Sequence, residues 1–125
     1  MSSTITFDAV TKSYPAGKGA GSGSPAVDSF TARIEAGTTT VLLGSSGCGK
    51  TTLLRMVNRM VEPSSGRVLI DDADVATRDA VALRRSIGYV MQNAGLLPHR
   101  RVIDNITLVP RLQGTDRRDC RKQAL

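Results

Sequence analysis

The sequence predicts an α/β fold, and three observations predict it. Residues 5–10 alternate between apolar and polar side chains. Thr38 to Leu43 is a β-branched and apolar run. Directly behind that run, a glycine-rich stretch gives way to apolar residues at helical spacing. Alternation marks a strand with one buried face, and an unbroken apolar run suits a strand buried on both. A turn that joins such a strand to a helix is the building unit of α/β domains.

Taken in order, Ile5, Phe7 and Ala9 alternate with Thr6, Asp8 and Val10 and form the first strand. Pro15 to Pro25 holds Gly17, Gly19, Gly21 and Gly23 with Ser22 and Ser24, the composition of a surface loop. Ala26 to Ile34 is a second strand, with Val27, Phe30 and Ile34 as core candidates, and Glu35-Ala36-Gly37 is a turn. Thr38 to Leu43 follows as a buried strand. Lys50 to Met60 is a helix, with Leu53, Leu54, Val57 and Met60 on its apolar side.

Pro63 to Gly66 ends that helix, Arg67 to Ile70 is a short strand, and Asp71-Asp72 is a turn. Thr77 to Arg85 is a short helix, with Thr77 as its cap and Asp79 in its first turn. Ile87 to Met91 is a strand, and Gln92 to Arg101 is irregular. Val102 to Leu112 is helical with an interruption at Pro110, and Asp116 to Leu125 opens another helix. No segment repeats.

The 125 residues suit one domain or a large piece of one. A hydrophobic share of 40% supports a packed core, but aromatics are only 3% and Trp is absent, so Val, Leu, Ile, Ala and Met must build it. The net charge of +6 raises nucleic acid as a partner, and the residues after His99 carry seven basic side chains against three acidic ones. No aromatics interleave with those arginines to stack bases, so they are read as a solvated helix face and nucleic acid is not expected. Cys48 and Cys120 form no CxxC pair and predict neither a metal site nor a disulfide. The start of the sequence lacks a basic, then apolar, secretory pattern. No run approaches the roughly 18 apolar residues of a membrane helix, so a membrane role requires a partner.

The chemistry is concentrated at residues 44–52. Gly44-Ser45-Ser46-Gly47-Cys48-Gly49-Lys50-Thr51 fits G-x-x-x-x-G-K-[ST] at every fixed position. A triphosphate is densely negative and needs many aligned donors. Glycines let the backbone turn tightly and present successive N–H groups inward. The next helix adds its dipole and its unpaired N–H groups. Lys50 reaches the β and γ phosphates, the Thr51 hydroxyl completes the coordination of Mg²⁺, and Thr52 supplies a further hydroxyl.

Around this P-loop the sequence resembles the ATP-binding subunits of ABC transporters over nearly its whole length. Val10-Thr-Lys-Ser-Tyr14 is similar to the family's opening strand. Ala26-Val-Asp-Ser-Phe30 and Glu35-Ala-Gly37 are similar to its second strand and the turn after it. Pro63-Ser-Ser-Gly-Arg67 resembles the turn behind the P-loop helix. Leu83-Arg-Arg-Ser-Ile-Gly-Tyr-Val-Met-Gln92 resembles the approach to the family's Q-loop. Gly95-Leu-Leu-Pro-His99 and Val102-Ile-Asp-Asn-Ile106 resemble the start of its helical subdomain. Asn58-Arg-Met-Val-Glu62 and Asn105 to Leu112 look most like importers of osmoprotectants such as glycine betaine, carnitine, choline and proline.

The resemblance implies a P-loop NTPase of ABC type with an incomplete core. Residues 1–99 would hold an N-terminal antiparallel β subdomain, the P-loop and the Q-loop, and residues 100–125 the start of the helical subdomain. It implies that Tyr14 stacks on adenine and that Gln92 contacts Mg²⁺ and the attacking water. His99 becomes a loop residue near the membrane-subunit contact. The implied partners are a transmembrane permease, a second ATP-binding subunit and, indirectly, a solute-binding protein, with the chain cytoplasmic on the inner face of the membrane.

The family also needs a Leu-Ser-Gly-Gly-Gln loop, an apolar strand ending in Asp-Glu and a switch histidine, and none stands in these 125 residues. Val68 to Asp72 is a poor stand-in for the Asp-Glu strand, because it is short and early and its second acid is Asp; it is read as a solvated hairpin turn. The expectation is an N-terminal fragment that binds nucleotide weakly, hydrolyses it negligibly alone and is marginally stable, with the intact protein a transport ATPase. The alternatives are a binding fragment without turnover and a basic nucleic-acid-associated P-loop protein.

Overall fold

The computed structural model of the chain describes residues 2–15, 24–92 and 95–124. They form two compact units, Met1–Ile87 and Gly88–Leu125.

In the first unit, β1 (Ile5–Lys12), β2 (Val27–Ile34), β3 (Ser65–Ile70) and β4 (Ala73–Asp74) form an antiparallel sheet in the order β2-β1-β3-β4. β1 is paired on both edges, with Ile5 opposite Ile34 on one side and Ile70 on the other. Its alternation breaks at Ala9, where φ is +47° and the register shifts against both neighbours. A bulge of this kind moves the next side chain to the opposite face. The buried pair is therefore Phe7 and Val10, while Ala9, expected inside, is exposed. Gly66 meets the bulge across the ladder at φ +76°. A Cβ there would collide with the carbonyl oxygens of Ala9 and Asp8, so only glycine allows the two backbones so close.

β3 and β4 are joined through Asp71 and Asp72 alone, both at positive φ, +51° and +60°. This is a two-residue hairpin turn whose twist matches the strands, in line with the solvated turn read from the sequence.

Helix α1 (Lys50–Val57) packs on the sheet through Leu53 and Met56, which join Phe7, Val10, Val27, Val68 and Ile70 in the core. Leu54 and Met60, expected on the apolar side, are half exposed; Met56, which is fully buried, takes their place. The helix is shorter than expected. Arg59 enters the left-handed region at φ +55°, its N–H donates to Met56 O, and Met60 N–H reaches back to Arg55 O. That pair of bonds is a Schellman ending. Arg84, from helix α2 (Ala80–Ser86), closes the remaining carbonyls, donating from Nε to Asn58 O at 3.0 Å and from Nη2 to Arg59 O at 2.6 Å. α2 is capped by Asp79, whose carboxylate accepts from Ala82 N–H at 2.8 Å. Thr77, the expected cap, instead closes a 3₁₀ turn, Val75–Thr77, by donating its hydroxyl to Asp74 O. Asp79 sits directly before the first helical residue, where a side-chain oxygen reaches the open N–H groups.

Two expected strands do not form. Thr38–Leu43 and Ile87–Met91 carry no ladder, and Val41, Leu43 and Val90 are exposed at 70%, 88% and 95%. A strand exists through the N–H and C=O groups of a neighbour, and no strand among the described residues is paired with either segment. The predicted loop from Pro15 to Pro25 falls for the most part outside the described residues.

The second unit holds α3 (Val102–Ile106), α4 (Leu108–Leu112) and α5 (Arg117–Gln123). The interruption expected at Pro110 falls three residues earlier, at Thr107. Pro110 has no N–H for the carbonyl of Ile106, and its ring crowds that carbonyl. Asn105 latches the preceding loop to α3: its Oδ1 accepts from Leu97 N–H at 2.7 Å, and its Nδ2 donates to Leu97 O and Arg101 O. Asp116 caps α5 by accepting from Arg118 N–H, and Cys120 is the buried residue of that helix.

Candidate functional site

Residues 44–52 run from the unpaired segment into the first turn of α1. The loop depends on its glycines. A Cβ on Gly44 would lie 2.5 Å from Cys48 Sγ, and Gly47 has φ +81°. Gly49 has φ +91°, and a Cβ there would collide with the carbonyl oxygen of Ala26. Gly49 thus combines a left-handed backbone with a close approach to the start of β2, which any side chain would prevent. Cys48 N–H donates to Ser45 O at 3.4 Å and closes the turn.

Lys50 folds over this loop. Its Nζ donates to Gly44 O at 2.9 Å and Ser45 O at 2.6 Å, and lies 3.4 Å from Cys48 Sγ. The ammonium is therefore held at the mouth of the loop. Gly49 is the N-cap of α1 and offers no side-chain acceptor, and no acid stands in the first turn. Leu53 N–H is the first to find a helical carbonyl, that of Gly49 at 3.0 Å. The N–H groups of Lys50, Thr51 and Thr52 have no carbonyl four residues back within the helix. Their partial positive charge adds to the lysine.

These groups border an open depression of ≈ 140 Å³, lined by Ala26 and residues 47–52. Thr51 is exposed beside it. Among the described residues no cluster of His, Cys, Asp or Glu is placed to hold a metal. A cation here would depend on a hydroxyl and on oxygens carried by the bound molecule. The arrangement suits a compact polyanion.

Tyr14 stands just beyond β1 and is more than half exposed. The strand end beneath it is clamped: Ser64 N–H donates to Thr11 O, Ser13 N–H donates to Ser64 Oγ, and Ala26 N–H donates to Lys12 O at 2.8 Å. Ala26 belongs to the rim of the depression, so Tyr14 rises from the same end of the sheet. Lys12 Nζ lies 5.2 Å from the Tyr14 ring centroid and donates to Glu62 O at 2.8 Å. Ala26 on the rim, and the Lys12 and Ser64 contacts beside Tyr14, are not revealed by the P-loop pattern, because they depend on segments distant in sequence. Gln92 lies in the second unit, at an exposed bend, and His99 is exposed in a turn of the same unit.

A second cleft, of ≈ 320 Å³, lies between β2 and the unpaired segment, with Val27, Phe30, Val41, Leu43 and Leu53 on its walls.

The family pattern described as ABC transporter matches residues 27–125. The chain is similar to a carnitine transport ATP-binding protein of Listeria monocytogenes, 46% identical over 108 residues, 86% of this chain and 26% of that one. It is similar to an osmoprotectant import ATP-binding protein of Salmonella typhimurium, 50% identical over 99 residues, 79% of this chain and 26% of that one. Among solved structures it resembles a dimeric ATP-binding cassette in a post-hydrolysis state bound to ADP and Pi, with TM-score 0.81 and 26% identity over 96% of this chain and 53% of that chain. The chain thus spans about a quarter of the length of these curated relatives.

Proposed function

This chain belongs to the ABC transporter family, and we propose that its residues 44–52 bind the phosphates of ATP within a polypeptide that energises import of osmoprotectants. The observation that carries the proposal is the convergence of Lys50, the Gly47–Gly49 turn and the first turn of α1 on one depression. The likeness to carnitine and osmoprotectant import proteins supports the substrate class.

The chemistry follows from the groups present. Phosphate oxygens are stronger acceptors for an ammonium than the peptide carbonyls that hold Lys50. The N–H groups of residues 50–52 serve the oxygens nearest the helix. Thr51 supplies the hydroxyl to Mg²⁺, which when bound offsets phosphate charge, and we propose Gln92 as its further contact. Tyr14 offers its exposed ring face to adenine. We take residues 1–99 as the nucleotide-binding core and 100–125 as the start of the helical subdomain. A permease and a second ATP-binding subunit are the proposed partners, with a solute-binding protein acting through the permease. No helix among the described residues is long and apolar enough to cross a membrane, so attachment to the inner membrane face would run through the permease.

Turnover needs an oriented water as well as a phosphate cradle. The residues here contain neither a Leu-Ser-Gly-Gly-Gln loop nor an Asp-Glu pair, so by themselves they are proposed to bind nucleotide without appreciable hydrolysis. Titration calorimetry tests the site. ATP and inorganic triphosphate should compete for one site, and Lys50→Ala should weaken both on the order of tenfold or more, as expected for a lost charge-assisted hydrogen bond. Unchanged affinity in the variant, or ATP binding that triphosphate leaves untouched, would remove the phosphate site from the account.

A further inference from the structure

We propose that Lys12 is a positioning and specificity residue for the base of the bound nucleotide. The proposal rests on the nucleotide reading above and extends it to a residue outside the glycine loop.

Lys12 is the last residue of β1, and its backbone is fixed by the Ala26 N–H bond to its carbonyl. Its side chain is fixed as well. Nζ donates to Glu62 O at 2.8 Å, in the segment behind α1, and lies 5.2 Å from the Tyr14 ring centroid. That separation is within the reach of a cation–π contact. One ammonium thus ties together the exit of the P-loop helix and the Tyr14 ring.

The consequence concerns the ring. Tyr14 sits past the strand's last ladder pair and is 56% exposed, so little packing selects its rotamer. A cation anchored near one face restrains the ring and leaves the opposite face to a flat partner. A platform already oriented spends less conformational entropy when a base stacks on it. Because Lys12 acts on the ring, its contribution belongs to the base half of the ligand. The phosphate half is served by residues 47–52, which Lys12 does not contact in any of its observed bonds.

The test compares ATP with inorganic triphosphate on the intact polypeptide, by calorimetry. Lys12→Met should weaken ATP about two- to fivefold, the span of an exposed cation–π contact converted to a ratio, and leave triphosphate affinity unchanged. Lys12→Arg, which keeps a cation near the ring, should restore ATP affinity. In a Tyr14→Leu background, Lys12→Met should have no further effect on ATP, an outcome that general loosening of the fold would not produce. Equal losses for both ligands, or an unchanged ATP-to-triphosphate ratio in a Lys12→Met protein whose melting temperature is intact, would overturn the proposal while the nucleotide site stands. A wild-type protein that binds neither ligand would overturn both.

Discussion

Strand β1 and the segment Thr38–Leu43 have equal shares of apolar residues, yet they differ in pairing and burial, with only Leu42 of the segment packed against the core. β1 pairs with β2 on one edge and β3 on the other, and Phe7 and Val10 are buried. Thr38–Leu43 pairs with no described strand, and Val41 and Leu43 are exposed. The difference is that a strand is a property of a pair. Local composition proposes a strand, and the hydrogen-bonding groups of a neighbour create it. The phosphate loop sits at the boundary of these two regimes. It hangs from the unpaired segment at Gly44, and it is fixed at Gly49 through contact with Ala26 and through α1.

The largest test of this contrast is a pair of truncations. Phe7 is 3% exposed and packs edge-on against Phe30 with ring centroids 5.5 Å apart. Phe7→Ala should cost about 3–5 kcal/mol in urea unfolding, the range for removing a core aromatic ring. Leu43→Ala, at an 88% exposed position, should change stability by no more than about 0.5 kcal/mol. Equal losses at the two positions would mean that Leu43 is packed, and the contrast would fail.

A smaller effect sharpens the paired side of the comparison. The Asp71 carboxyl is held below its ordinary value by a hydrogen bond from the Ser3 side chain and another from Thr4 N–H. Thr4 O in turn accepts from Asp71 N–H at 2.9 Å, which closes the end of the β1–β3 ladder. Because the folded-state value is the lower one, this contact stabilises the fold above the ordinary carboxylate range and is lost as pH falls through the folded value. Asp71→Asn should therefore flatten the acid limb of a melting-temperature profile between neutral and strongly acidic pH. A limb of unchanged slope would place the titration elsewhere.

Much of the site was legible in the sequence because the phosphate loop is a local device. Gly44, Gly47, Gly49, Lys50 and Thr51 stand in fixed order and shape one another over a few residues. The Asp71-Asp72 turn and the α1 position were readable for the same reason, while the antiparallel arrangement of the first strands came from the family resemblance. What was not legible depends on distant partners. The bulge at Ala9 needs Gly66 opposite and Thr31 Oγ1 to take its N–H. The early end of α1 needs Arg84 from another helix. The hydrogen bonds that Lys12 and Ser64 make beside Tyr14 appear only once β1 and the Glu62–Ser64 segment are side by side.

The central claim is that the turn from Gly47 to Thr52 holds the phosphates of a nucleotide. Amide hydrogen exchange with and without ATP and Mg²⁺ reads that turn directly. The account predicts slowed exchange concentrated at residues 47–52, reproduced by inorganic triphosphate and absent in Lys50→Ala. Protection confined to other segments, or a turn that exchanges equally with and without ligand, would contradict it.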